Sequence, residues 1–278
     1  MILEYLPKTI RSGFAAMALA AAAIAAAAPV LANDLLVAPT RVVLNGSRGT
    51  EVILNNIGTE EATYRISLEL RRMTPDGGLE EVELPNDSEE AALGMIRYAP
   101  RRVVLPPNQP QAIRIGVRAP QGLADGEYRV HMLFRAIPRP RPVTSEAESQ
   151  GEGFQIRLVP VYGVTIPIII RHGNLTATAA IANPRIVEEN GVQGIGFDLS
   201  RQGDRSVYGE IIVSRPGVDV PLARARGIAV YSEIGSRSVI LPVSEEFQGN
   251  LAGPIRIQYR EPDSAGGGLI AETEGVLR

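Results

Sequence analysis

Apolar and polar residues alternate in short runs from Asp34 onward. Tyr64, Ile66, Leu68 and Leu70 alternate with Arg65, Ser67, Glu69 and Arg71, a period of two that predicts a strand with one face in a core and the other in water. Ile113, Ile115 and Val117 repeat the pattern against Arg114 and Gly116. Runs of this kind cover residues 36–44, 51–55, 62–73, 79–84, 95–105, 111–117, 127–137 and 154–171. Turn signals such as Asn45-Gly46, Asp76-Gly77-Gly78, Pro106-Pro107-Asn108 and Asp125-Gly126 separate them. Short strands at this spacing predict an antiparallel sandwich. A second set, from residue 175 to residue 276, predicts another small sandwich, so the chain divides into 33–172 and 173–278. No sequence repeat relates the halves.

Two stretches depart from the pattern. Residues 138–153 carry almost no apolar side chain and cannot offset their ordering entropy by burial, which predicts a long mobile hairpin loop. The following run, 154–171, is long, β-branched and poorly alternating, and it contains Pro160 and Pro167. Proline donates no ladder hydrogen bond, so this strand is expected at a sheet edge or around bulges. A long apolar edge is either covered within the protein or open to pairing with another chain.

Lys8 and Arg11 precede an apolar stretch, 14–28, that ends in Val30-Leu31-Ala32. A basic start, an apolar run and small residues form an export signal, here 1–32 with cleavage after Ala32. The strictly apolar stretch is shorter than the roughly 20 residues a spanning helix needs. No second apolar span follows, so the mature chain is expected to be exported and soluble beyond the inner membrane.

Composition narrows the function. The formal charge of −3 provides no basic field, so nucleic acid is not an expected partner. Cys is absent, which excludes thiol nucleophiles, thiolate metal sites and disulfide staples. His131 and His172 are the only histidines, too few for a His-rich metal centre. Lys8 is the only lysine, so the exported chain has no Schiff-base lysine and every cationic role falls to Arg. An enzyme would have to run on carboxylates, and no acidic pair stands out among the many Asp and Glu; no metal or cofactor is expected.

The order of motifs resembles the periplasmic pilus-assembly chaperones of the PapD-like chaperone–usher family, over nearly the whole exported chain. The likeness rests on Ala38-Pro39-Thr40-Arg41-Val42-Val43, Asn55-Asn56 and Tyr64-Arg65-Ile66. It continues through Pro106-Pro107-Asn108-Gln109-Pro110-Gln111-Ala112-Ile113-Arg114-Ile115, then Asp125-Gly126-Glu127 leading into Phe134-Arg135-Ala136-Ile137-Pro138. Ile166-Pro167-Ile168-Ile169-Ile170-Arg171 and, in the second half, Ser236-Arg237-Ser238-Val239-Ile240-Leu241-Pro242-Val243 complete it. The resemblance implies two immunoglobulin-like β-sandwich domains at an angle. It also implies a non-enzymatic function: holding fimbrial or pilus subunits by donating an edge strand until an outer-membrane usher exchanges it. A structural or adhesive subunit of the fibre itself is the alternative.

By position, Arg41 resembles the cleft arginine that grips a subunit's terminal carboxylate, a task suited to a guanidinium. Phe154, Ile156 and Leu158 resemble the donor residues, with Arg157 facing away; a donor set that includes Val161, Gly163 and Thr165 is the other register. The family's lysine on the donor strand falls near Pro167, so that second anchor is missing, moved or replaced by Arg157. Glu127 and Arg171 resemble members of an ion network between the domains, with Glu261 or Asp263 as third partner. Such a network fixes geometry more than it adds stability.

Overall fold

Pro39 splits the first apolar run in two. Strand β1 (Leu35–Ala38) pairs with one sheet and β2 (Val42–Asn45) with the opposite one, so the chain crosses between sheets at the proline. The computed structural model describes residues 35–45, 49–139, 160–189 and 191–278. The export signal, most of the 138–153 loop, and Phe154, Ile156, Arg157 and Leu158 lie outside the described residues.

The first sandwich is built from β3 (Thr50–Asn56), β4 (Ala62–Glu69), β7 (Ile96–Ala99), β8 (Arg102–Leu105), β9 (Pro110–Val117), β10 (Gly126–Ile137) and β11 (Gly163–His172). One sheet runs β1-β3-β9-β7 and the other β2-β11-β10-β4-β8. The alternation read at Tyr64 and Ile66 carries through: both are buried between the sheets with Val130, Met132, Phe134, Ile113 and Ile166. Glu127, Arg129 and His131 of β10 take the other face, which looks toward Ser206, Glu233 and Tyr231 of the second half.

A short hairpin, β5 (Arg71–Met73) and β6 (Leu79–Glu81), leads to helix α1 (Asp87–Met95). Asn86 caps the helix and accepts from the Glu89 amide, while the Glu89 side chain accepts from the Asn86 amide. That capping box, with Asp87, Glu89 and Glu90 in the first turn, starts the helix despite the surrounding strand propensity.

The second sandwich faces β12 (Ala177–Glu189), β13 (Val192–Gly203) and β16 (Ser236–Pro242) against β15 (Ala223–Val230), β14 (Val207–Ser214), β17 (Gly253–Arg260) and β18 (Leu269–Leu277). Phe197, Leu199, Ile211, Ile257 and Tyr259 fill its core. The two cores meet through Met73, Ile169, Ala229 and Tyr231. The hairpin reaches across as well: the Ser238 amide donates to the Pro75 carbonyl at 2.8 Å, and Arg237 donates to that of Asp76 at 3.4 Å. Gly77 sits there at φ +90°, a backbone conformation that residues with a Cβ rarely adopt, and a Cβ would also displace the Arg237 guanidinium.

Candidate partner-binding site

One edge of β11 is only half covered. On its other side the strand pairs with β10 throughout, from Gly163 opposite Arg135 to His172 opposite Gly126. The pairing extends one residue further back, since the Ala136 amide donates to the Tyr162 carbonyl at 2.9 Å. Strand β2 pairs with β11 in parallel, but only from Ile168 opposite Val42 to Arg171 opposite Asn45. Residues 163–167 therefore have no neighbour on that side among the described residues.

Antiparallel ladders alternate, and the bond at Tyr162 fixes the phase: Tyr162, Val164 and Ile166 turn their backbone groups to β10, whereas Gly163, Thr165 and Pro167 turn theirs to the open edge. This explains how Pro167 fits a strand whose neighbours are almost fully buried. Its nitrogen faces the edge, where no ladder donor is missed. The side chains alternate too, with Ile166 and Ile168 in the first core and Thr165 on the opposite face, where its hydroxyl lies 3.2 Å from a Glu69 carboxylate oxygen.

Arg41 stands where the open edge ends, immediately before Val42. Its guanidinium lies 4.3 Å from the Tyr208 ring centroid and 5.8 Å from that of Tyr231, and Nη2 donates to the Ser206 hydroxyl at 3.3 Å. Nη1 is buried without a hydrogen-bond partner. Burial lowers the Arg41 pKa below the ordinary guanidinium value, against the opposing pull of Tyr231 and Glu127. A charged N–H group held unsatisfied in this way is a strong donor for an arriving anion.

Glu127 and Arg171 sit opposite each other on β10 and β11 and form a 3.1 Å ion pair, with the Glu127 side chain fully buried. The second half contributes Ser206: its amide and hydroxyl both donate to Glu127, at 3.1 and 2.9 Å, and its carbonyl accepts from Arg171 at 3.3 Å. Glu261 and Asp263 form no ion pair with Arg171 among the described residues. The third partner is a serine whose backbone makes two of these three bonds, and sequence-level charge matching has no means of finding it.

Reasoning from sequence also missed a second junction. Arg129 donates to Glu233 at 3.0 Å and to the Arg71 carbonyl at 2.9 Å, and its guanidinium stacks 3.7 Å from the Tyr231 ring. Beside it, His131 is 1% exposed, edge-on to Tyr231, with neither ring nitrogen hydrogen-bonded. Burial, then the Arg129 and Arg71 charges, push its pKa down to about 3. The unfolded chain therefore binds a proton that the folded chain refuses between the ordinary value of 6.5 and about 3. Stability from this residue is complete above pH 6.5 and declines as the pH falls. At pH 5 the loss is on the order of 2 kcal/mol, from about 1.4 kcal/mol per unit. Chemical denaturation of His131→Phe at pH 7 and pH 5 should show a shallower decline than the parent; parallel declines would contradict it.

Between the two sandwiches a cavity of about 630 Å³ opens beside Arg41, lined also by Arg171, Arg205, Tyr208 and Glu261. Among the described residues no group of three His, Asp or Glu is arranged to hold a metal ion, and no helix is long and apolar enough to cross a membrane.

No protein-family model matches the chain, and no curated protein sequence matches it. Solved structures do. The YadV chaperone is similar over 88% of this chain and 100% of its own, at 15% identity and a TM-score of 0.46. A chain of the Acinetobacter baumannii complex between the chaperone CsuC and the tip adhesion subunit CsuE is similar over 88% of this chain and 98% of its own, at 11% identity and a TM-score of 0.44. A chain of the Salmonella enterica complex of the SafB chaperone with the SafA pilin is similar over 90% and 99%, at 15% identity and a TM-score of 0.43.

Proposed function

We propose that the protein is a periplasmic chaperone that holds fimbrial or pilus subunits by lending them an edge strand until an outer-membrane usher takes them. The observation that carries the reading is the half-covered edge of β11 in line with β2 and ending at Arg41. A strand that continued β2's line and direction along residues 163–167 would bring its carboxyl end to Arg41. A strand of opposite direction would bring its amino end, a cation, to a cation. Charge thus selects a parallel partner whose chain terminates in the cleft.

In this reading Phe154, Ile156 and Leu158 extend the same edge toward the partner's groove. No covalent step is involved. A fibre subunit, the alternative, would lack a strand of its own sandwich and expose a groove. The described residues of the first half instead leave Val130, Met132, Phe134 and Ile166 no more than 2% exposed.

The edge can be tested without touching the core. Thr165→Pro removes an N–H that faces the open side, as Pro167 already does two residues on, so the β10 ladder is kept. Capture of a fimbrial subunit co-expressed in the periplasm should fall by about ten- to a hundredfold, the cost of roughly 1–3 kcal/mol for a buried carbonyl left unpaired. Undiminished capture by a folded variant would count against the edge.

A further inference from the structure

The outer face of the sheet β2-β11-β10-β4-β8 carries a row of like charges. Arg135 on β10 stands directly opposite Arg65 on β4, and Arg65 directly opposite Arg102 on β8. Their chain neighbours Phe134, Tyr64 and Val103 point into the first core, so all three arginines point to the other face, where each is exposed. Neighbouring guanidinium groups therefore follow the strand spacing of about 4.8 Å. None of the three has a hydrogen bond or ion pair among the described residues. The positions two residues along on the same face are neutral: Leu133 and Ile137 on β10, Ser67 and Thr63 on β4, Val104 on β8. Glu69, further along β4, is already taken by Arg71 at 2.6 Å. Like charges directly opposite each other destabilise paired strands, and nothing among the described residues offsets this row.

We propose that the row is a docking surface for an acidic helix of a partner protein. It is separate from the edge of β11, and the proposal does not depend on that edge. Spacing selects the shape of the partner. Acids at i, i+4 and i+7 of a helix have Cβ atoms about 5–6 Å apart, close to the spacing of the row, whereas same-face acids of an extended chain are about 6.7 Å apart. A helix laid across the strands thus meets all three guanidinium groups in step, and each is suited to a two-point contact with a carboxylate. The adjoining stripe of that helix falls on Ile137, Thr63 and Val104, the last of them 52% exposed, which fits uncharged and apolar residues beside the acids. Charge disfavours an anionic bilayer. The whole chain carries a formal −3, so attraction is confined to this row and is screened beyond about 8 Å, within reach of a docked helix but not of a plane held off by the surrounding acids.

The probes are an alanine-based helical peptide with glutamate at i, i+4 and i+7, the same peptide with glutamine at those places, and a scramble that spreads the three glutamates around the helix. Each is labelled with a fluorophore and titrated into the intact exported protein at low salt, with anisotropy as the readout. An exposed ion pair is worth about twofold to fivefold, so three in step should make the glutamate peptide bind about tenfold or more tighter than either control. Physiological salt should shrink that preference. The triple variant Arg65→Gln, Arg102→Gln, Arg135→Gln should lose the preference and unfold at the parent's temperature or above it, because the repulsion is relieved. A preference that survives in the folded triple variant overturns the inference, and equal binding of the ordered and scrambled peptides does the same. Two other occupants are read in parallel. Phosphatidylglycerol vesicles bound by the parent but not by the triple variant, with no peptide preference, would assign the row to a membrane. Salt-sensitive self-association of the parent, lost in the triple variant, would assign it to a second copy of the chain. Either result overturns the acidic helix and leaves the edge of β11 as proposed.

Discussion

Glu127→Ala is expected to lower stability by about 3 kcal/mol, near the bottom of the range for breaking a buried pair by removing one partner. Three donors converge on this carboxylate: the Arg171 guanidinium, the Ser206 amide and the Ser206 hydroxyl. Alanine leaves all three behind in a place where the Glu127 side chain has no exposure. Arg171 retains 21% exposure and regains some solvent, which is why the lower end of the range applies. Thermal unfolding should drop by roughly 6–12 °C, at about 2–4 °C per kcal/mol for a chain of this size. Glu127→Gln keeps an acceptor of the same shape and should cost about half as much or less. A cycle with Ser206→Ala would report the coupling between the two halves directly. A loss under about 1 kcal/mol for the alanine variant would mean that the junction is held by the Tyr231 cluster, Arg129–Glu233 and the hairpin contacts to Arg237 and Ser238 without it.

Local periodicity accounts for what the sequence made legible and for what it hid. The alternation of Tyr64 and Ile66 against Arg65 and Ser67 reports a face, and faces are decided within a strand. Which sheet a strand joins is decided elsewhere: residues 36–44 read as one strand, yet β1 and β2 belong to opposite sheets because Pro39 interrupts the run and β11 offers β2 a second partner. Helix α1 carried a visible signal, Asn86 followed three residues later by Glu89, but nine residues with few apolar positions make a weak period against strand-rich surroundings. Residues 154–171 read as a single edge strand, and the described strand begins at Gly163. The site divides the same way. Arg41, Glu127 and Arg171 stand next to strand motifs and could be placed by order along the chain. Arg205 and Ser206 come from a turn of the other sandwich and Tyr208 from the start of β14, and only the packing of the two halves brings them to Arg41.

Arg41→Ala is expected to abolish subunit capture while leaving the free protein as stable as before or slightly more so. The two outcomes have one cause. In the free protein Arg41 is held at a cost: burial lowers its pKa, Nη1 lacks any partner, and the one hydrogen bond, to Ser206, is long at 3.3 Å. Stacking on Tyr208 offsets part of that, by about 0.5–2 kcal/mol for such a contact. Alanine removes both the cost and the offset, so the unfolding midpoint should move little. A bound carboxylate changes the balance, because it satisfies Nη1 in a site where solvent no longer competes. Removing one member of a desolvated charge pair costs about 2–5 kcal/mol or more, and the loss appears in the dissociation rate. Capture should therefore weaken by at least about thirtyfold, and Arg41→Lys should restore only part of it, since an ammonium cannot make the planar two-point contact. Surface plasmon resonance on the purified complex would separate the rates. Unchanged dissociation from Arg41→Ala, with the subunit still held along β11, would leave the edge as the whole of the binding site and remove the carboxyl terminus from the mechanism.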